Sequence, residues 1–560
     1  ALSVLVIMAW QYFFFPPPPL SGNRPSSVSQ TAPKVTDGVA SHTGGTQAAP
    51  SGEAAMPSSL PTSEPLSATD EETLPREEKV IEGPLYLATF TTEGGGILSW
   101  KLKDYSVYQK GRGPLEVIRA LFTRENGSAQ PPGLMDLFEG ISENGTPFHL
   151  ESRIPEDARF RLVSSSLREV VFERQQQSLL ISKRYKLQPD RHVVDLEVTV
   201  ENRGTAPVTA RPGLAVRGRY AGSDGAAYAP KPLPIYYVDQ GVEFVEDKDV
   251  EATPLQVNGV VGWAGVNDKY FLRAVMPAVP TQGIVTISEQ AERMFMTEVI
   301  EGPLTIGPGQ AQVIHYQMFL GPKRSELLKQ YNRDLNKSLD FGMFGAFAEP
   351  LLWLLKYLYG FVHSYGLSII LLTIIIKTLF FPLMVKQLES AQKMKEFQPQ
   401  MAMLREKYQD DKNKLNQEMM RFMQENKINP LGGCLPVLLQ MPIWFALYQV
   451  LQNSIELYHT PFLYLPDLSE QDPYGVSPLI LGVLMFIQQK MTPPVPGMDP
   501  MQAKMMQYLP LIFAAIMFTL PSGLVVYILV NTLLTILQQW YITRRAERAA
   551  MARSGAAGRR

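Results

Sequence analysis

One lysine lies where a charge is expensive. Lys377 follows the apolar run from Leu367 to Ile376 and precedes Thr378, Leu379, Phe380, Phe381 and Pro382. Lys386 follows nine residues on, so at about 1.5 Å per helical residue the ammonium sits roughly 7–13 Å inside an apolar helix. At that depth an ionised side chain costs at least ~2–3 kcal/mol unless water or a partner receives it. One answer is a stem that snorkels toward headgroups. Two features point elsewhere. The other apolar segments contain no Asp or Glu, so there is no built-in counter-ion. They carry uncharged polar residues instead: Gln440, Gln452, Asn453, Gln488, Gln489, Ser522, Asn531, Thr535, Gln538 and Gln539. Thr373, one turn before Lys377, shares its face. Polar groups in a bilayer are tolerated around a wet cavity, and those near span ends suit the interface. A wet cavity with one cation and no anion suits a transient acidic or polar guest. A proton relay would need Asp, Glu or His partners.

Little else offers chemistry. The 560 residues hold one cysteine, Cys434, which excludes a disulfide framework and a cysteine-rich zinc site. Six scattered histidines give no metal-ligand spacing. Fifty-two Lys and Arg against 54 Asp and Glu leave a net charge of −2, which gives no general footprint for DNA. No cofactor motif is present.

The elements that must position Lys377 follow from changes of texture. Residues 1–15 are apolar and too short to span alone, since a span needs roughly 20; they are expected to be a truncated first transmembrane helix, with a signal core as the alternative. Residues 16–79, rich in Pro, Ser, Thr, Ala and Gly, are expected to be a disordered tether. From 80 to 323 apolar and polar residues alternate, as in Arg191 to Val200, Glu169 to Leu187 and Ala311 to Leu320. Turn signals at Gly94-Gly95-Gly96, Asn126-Gly127, Asn144-Gly145 and Asn202-Arg203-Gly204 punctuate them. That pattern predicts a large all-β sandwich. Residues 324–365 read as a connection and an interfacial helix with Trp353, Lys356, Tyr357 and Tyr359, broken from the next span at Gly360 or His363-Ser364. Four blocks then read as membrane helices or pairs of them: 366–385, 430–453, 476–490, and a long block that Pro521-Ser522-Gly523 divides into 505–521 and 522–542. With the N-terminal helix, six spans are expected: a polytopic α-helical membrane core plus an all-β domain.

The loops set orientation. Residues 386–429 carry nine Lys and Arg, the loop from Lys490 to Lys504 carries two Lys, and the 543–560 tail carries six Arg, whereas 454–475 has no Lys or Arg and four acids. Basic loops stay in the cytoplasm, so both termini are expected inside and the β domain outside. Within 386–429, Met394, Phe397, Met401, Leu404 and Tyr408, then Leu415, Met419, Phe422 and Met423, recur at threes and fours, interrupted at Asp410-Asp411-Lys412. This reads as a Met-rich helical hairpin, either an adaptable docking surface or one that packs on itself or on headgroups.

Several short motifs, Asn429 to Pro436, Gln440 to Ile443, Asp499 to Gln502 and Pro521 to Leu524 with Tyr527, together with the Lys377–Pro382 span, resemble the YidC family of bacterial membrane protein insertases across essentially the whole chain. The resemblance implies five membrane helices around a hydrophilic groove, open to cytoplasm and lipid and closed toward the periplasm. It also implies a periplasmic β-supersandwich largely dispensable for insertion, in a Gram-negative inner membrane. The groove's positive residue is usually arginine; here it is Lys377, which keeps the charge and loses the bidentate fork. Thr373 and Tyr527 match positions similar to substrate-contacting ones, with Gln440 and Asn531 as further groove candidates. The hairpin residues Met394, Met401, Asp410, Asp411 and Met419 match a hairpin needed for activity. Implied partners are nascent membrane proteins, the Sec translocon with its accessory proteins, the ribosome, the signal-recognition-particle receptor and the phospholipid bilayer. Two other classes remain open on the residues alone: a small-solute channel or transporter with an anion site at Lys377, and a membrane-anchored carbohydrate-binding protein.

Overall fold

A computed structural model describes residues 75–560 except 107–133, 140, 142, 152–157, 221–231, 247–249, 251–252, 291–292, 409–410, 427–434, 492–507, 509–511 and 558–560. The expected N-terminal helix, the expected tether as far as residue 74, Asn126-Gly127 and Asp410 therefore lie outside the described residues.

Strands run from Glu78 to Pro322. Four of them, Glu78–Glu82, Tyr86–Thr91, Gly96–Ser106 and Leu134–Asp136, form one antiparallel sheet, and a 13-stranded antiparallel sheet forms most of the remainder. Alternation explains the layering: in Leu179–Leu187 the odd positions Leu179, Ile181, Lys183, Tyr185 and Leu187 all point inward. The shared core holds Trp100 stacked on Tyr86 at 4.1 Å, with Phe90, Phe148, Phe172, Tyr185 and Phe295. The apolar run Glu169 to Leu187 is two strands, Glu169–Gln176 and Leu179–Leu187, joined by a tight turn in which Gln177 takes φ 52°. No Gly or Asn marks that turn, so alternation alone hides it. Gly94 and Gly95, at φ 66° and 52°, turn the chain between Tyr86–Thr91 and Gly96–Ser106, where left-handed backbone favours glycine.

One inward position is a lysine. Lys183 is fully buried, donates to the Gly94 carbonyl at 2.7 Å and lies over the Phe160 ring at 4.2 Å. The carbonyl and ring quadrupoles are its only compensation among the described contacts, and burial pushes the ammonium down to about 7.

Helices follow: α1 Ser325–Gln330, α2 Gly345–Val362, α3 Tyr365–Glu396, α4 Gln398–Lys407, α5 Lys412–Glu425, α6 Leu435–Asn453, α7 Val476–Met491 and α8 Ser522–Ala557. Leu328 of α1 and Leu335 pack on the outer face of the large sheet against Trp263 and Phe319. α2 buries Ala348, Leu352 and Leu355 and exposes a ladder of Trp353, Tyr357 and Phe361, which suits an interface. It ends at His363, whose φ of 51° stops the helix, and passes through Gly360 unbroken. Among the described residues, two helical stretches, Tyr365–Val385 and Ser522–Arg545, are long and apolar enough to cross a membrane, and Val476–Met491 is a shorter apolar helix.

Two helices continue beyond the stretches expected as spans. α3 runs eleven residues past 385 to Glu396, and α8 runs through the expected tail to Ala557. Neither extension contains Gly or Pro before Gly555, and both are rich in Ala, Lys, Arg, Glu and Gln, which sustain a helix after the apolar run has ended. The hairpin is α4 and α5. Asp411 caps α5, its carboxylate accepting from the Lys414 amide at 3.0 Å, and Phe397 meets Phe422 edge-on at 5.8 Å.

Helices and β domain meet at residues 454–475. Ile455 enters the β-domain core, and the Tyr458 ring packs against Tyr105, Tyr270 and Phe271 at 5.1–5.9 Å. Lys356 of α2 pairs with Glu326 of α1 at 2.9 Å and with Glu456 at 2.5 Å.

Lys183 makes the domain's stability pH-dependent. The unfolded chain keeps this proton to about 10.5, whereas the folded one releases it near 7, so between those values the unfolded state binds more protons and stability rises with pH. Tryptophan-fluorescence melts of the full chain should show a Tm rising from pH 7 to 9, and Lys183→Met should flatten that rise.

Candidate functional site

α3 and α8 both start at the 454–475 segment and run away from it in the same direction. At α3, Gly366 abuts Phe462 so closely that an added Cβ would lie 2.1 Å from the ring. At α8, three of the first turn's donors are spoken for: the Ser522 amide by the Glu470 carbonyl at 2.6 Å, the Ser522 hydroxyl by the Asp467 carbonyl at 2.7 Å, and the Gly523 amide by the Leu468 carbonyl at 2.8 Å. A helix start otherwise leaves such donors orphaned. From the helix starts at Tyr365 and Ser522, Lys377 is twelve residues along α3 and Thr535 thirteen along α8, about 18 and 20 Å. Equal descent brings them together.

The Lys377 ammonium donates to the Thr535 hydroxyl oxygen at 2.8 Å. The Thr535 hydroxyl gives its own proton to the Asn531 carbonyl, one turn back, at 2.7 Å. Thr535 is therefore an acceptor toward lysine, with no charge to offer. Lys377 is 6% exposed, and among the described residues no carboxylate pairs with it. The spans 365–385, 435–453, 476–491 and 522–545 contain no Asp or Glu at all. The arrangement is a buried cation on a single neutral oxygen, a state that a charged acceptor would stabilise.

The other expected site residues divide. Thr373 is on the Lys377 face but is 1% exposed, its hydroxyl donating to the Ile369 carbonyl at 2.6 Å. Tyr527 is 1% exposed inside an apolar cluster with Ile369, Leu372 and Ile376. In this conformation both face protein, not a cavity. Tyr527, Asn531 and Thr535 share one face of α8 at spacings of four. Asn531 is half-buried; Gln440, on α6, is half-buried too, and neither side chain bonds Lys377 among the described contacts. Ser522 belongs to the anchored turn, and Gln539 ties α8 to the Met491 carbonyl at the end of α7, at 2.8 Å. In the hairpin, Met401 is buried, Met419 is half-buried, Asp411 is the cap, and the Met394 side chain lies outside the described ones. Thr535 stood unremarked in the polar set; counting residues from the two anchored starts would have singled it out.

Comparisons with known proteins agree on what this architecture belongs to. A family model described as the YidC periplasmic domain matches residues 79–354, and one described as 60Kd inner membrane protein matches residues 357–549. Together they define an inner-membrane protein with a periplasmic domain, which is the β domain here. Membrane protein insertases named YidC from Geotalea daltonii and Syntrophus aciditrophicus are 34% and 36% identical, each aligning over 97% of this chain and over 97% and 98% of theirs. The chain belongs to the YidC family of membrane protein insertases. Its work is insertion of membrane proteins, not covalent catalysis. A solved active YidC insertase structure aligns at 17% identity and TM-score 0.35, over 83% of this chain and 92% of that one, too loosely to carry geometry.

The anchoring is testable at Gly366. Gly366→Ala forces Phe462 out of place and should lower stability by about 1–3 kcal/mol, as overpacking does, read as a lower midpoint in thermal melts of the detergent-solubilised chain.

Proposed function

We propose that Lys377 is the receiving charge of a hydrophilic groove through which a substrate's polar or acidic segment crosses. The observation that carries this reading is the buried ammonium resting on a neutral hydroxyl with no carboxylate beside it. A guest from the cytoplasm exchanges bulk water for groove water and the ammonium, which lowers its desolvation cost. The apolar helix that follows leaves sideways into lipid, and its burial drives the step. For acidic tails the membrane potential adds about 2.3 kcal/mol per charge per 100 mV. Thr373, Tyr527, Gln440 and Asn531 form the path. Since Thr373 and Tyr527 are closed in at rest, guest arrival parts α3 from α8.

The membrane core has six spans, counting residues 1–15 and 505–521, with the boundaries expected from the sequence. Both termini are cytoplasmic in a Gram-negative inner membrane; the basic loops support this. The hairpin, with Met401 and Met419 on it, meets the ribosome, the signal-recognition-particle receptor or the emerging chain, and the Sec translocon with its accessory proteins shares substrates with this chain. Charge distribution and family membership support these partners.

The test uses reconstituted vesicles and a small single-span substrate with an acidic translocated tail. Lys377→Arg should retain insertion, and Lys377→Glu should reduce it by tenfold or more. Equal insertion by Lys377→Ala and the unaltered chain on acidic and neutral tails alike would reject the electrostatic role. Photocrosslinkers at Thr373, Tyr527 and Asn531 should capture a stalled nascent chain, and their silence in active protein would reject the path. Deleting residues 85–320 should leave insertion of this substrate in place; its loss would move the activity into the β domain.

A further inference from the structure

Lys377 has three N–H donors, and among the described residues one is used, on Thr535. That partner is unusual in kind. A carboxylate at the same place would make a fixed ion pair, and removing one member of a buried pair is costly. An empty place would leave a buried ammonium bare, which costs more still. A hydroxyl whose proton is already bound by the Asn531 carbonyl lies between these: it orients the ammonium yet is outbid by a carboxylate, whose full negative charge adds an ionic attraction that a hydroxyl dipole lacks.

We infer that Thr535 is the exchangeable resting ligand of Lys377, and that its neutrality sets the insertase's preference for guests bearing Asp or Glu in the translocated segment. At rest the Lys377–Thr535 bond joins α3 to α8 beside the apolar contacts of Ile369, Leu372, Ile376 and Tyr527. An arriving carboxylate takes the ammonium, Thr535 keeps its bond to the Asn531 carbonyl, and this polar contact between the two helices is released. The buried charge becomes balanced: the guest's negative charge replaces a neutral oxygen opposite a cation already present. Thr535 acts through Lys377 and is a positioning residue. This inference rests on the groove reading of Lys377 and adds to it the rule by which guests are selected.

The measurement is the insertion ratio of two substrates differing only in whether the translocated tail carries Asp and Glu or Asn and Gln, with the full chain in vesicles. Thr535→Asp supplies a permanent intramolecular anion and should lower the acidic-to-neutral ratio at least fivefold. Thr535→Val removes the competing acceptor and should raise the ratio. If Thr535→Asp inserts neither substrate, the Val variant decides. Ratios unchanged in both Thr535 variants while Lys377→Ala shifts the ratio overturn the inference and leave the groove reading standing. A ratio unchanged in Lys377→Ala as well overturns that reading itself. Adding salt to screen tails in bulk, which leaves a buried contact largely unscreened, should preserve the difference between the Asp and Val variants; its collapse in salt would place the effect at the surface and overturn the inference.

Discussion

A buried ammonium with no anion beside it among the described residues is the constraint to which the rest of the architecture answers. Lys377 is tolerable because Thr535 meets it, and Thr535 meets it because α3 and α8 descend in register from a common support. That support is the 454–475 segment, bonded to Ser522 and Gly523 at the start of α8 and wedged by Phe462 against Gly366 at the start of α3. The segment is held in turn from the β domain by the aromatic seat of Tyr458 and by the Glu326–Lys356–Glu456 cluster. A shift of one residue along either helix moves a side chain by about 1.5 Å and turns it about 100°, which would leave the cation on an apolar neighbour. The periplasmic side of the molecule is therefore where the geometry of the site is set, even though the site lies deep in the helices.

Three lysines show how the local answer to a buried cation matches its use. Lys183 is enclosed by a carbonyl and aromatic rings in a close-packed core, an arrangement with nothing to exchange, and its ammonium is weakened. Lys356 sits between two carboxylates from different elements, a pairing that favours fastening because removing one member strands the others. Lys377 has one neutral oxygen. Lys183 also rests on a neutral oxygen but inside a close-packed sheet core, whereas Lys377 lies between two helices, and this difference in surroundings separates the two.

Much of this was legible in the residues, and what was not has physical causes. Period-two alternation marked the β domain because its strands bury one face, as in Leu179–Leu187, but it could not mark the turn at Gln177, where a residue without the usual preference adopts φ 52°. Hydropathy marked the apolar parts of α3 and α8 and could not mark where the helices end, because it reports the solvent and not the backbone: helix-forming charged residues carry both past the apolar run. Lys377 announced itself as a charge among aliphatic residues. Thr535 did not, since one threonine among many polar residues becomes distinctive only when two distant helices share an origin. Burial of Thr373 and Tyr527 was equally hidden, being a property of how α3 and α8 close on each other.

The same geometry links the cation to the opposite end of the molecule. α3 has 32 residues and α8 has 36, about 48 and 54 Å of helix, against a hydrocarbon layer of about 30 Å. Both are anchored at the 454–475 end, so the excess must project on the other side. Lys377, about 18 Å from its anchor, then lies past the midplane and nearer the projecting end, where access from that side is shorter. The projecting part of α3 is continuous through Glu396 into the bend at Phe397 that begins α4. Cation and hairpin thus lie along one helix, with Pro382 between them. On the proposed groove reading, a chain that engages the hairpin and a carboxylate that engages Lys377 act on the same helix, and the Thr535 bond is a polar contact between α3 and α8.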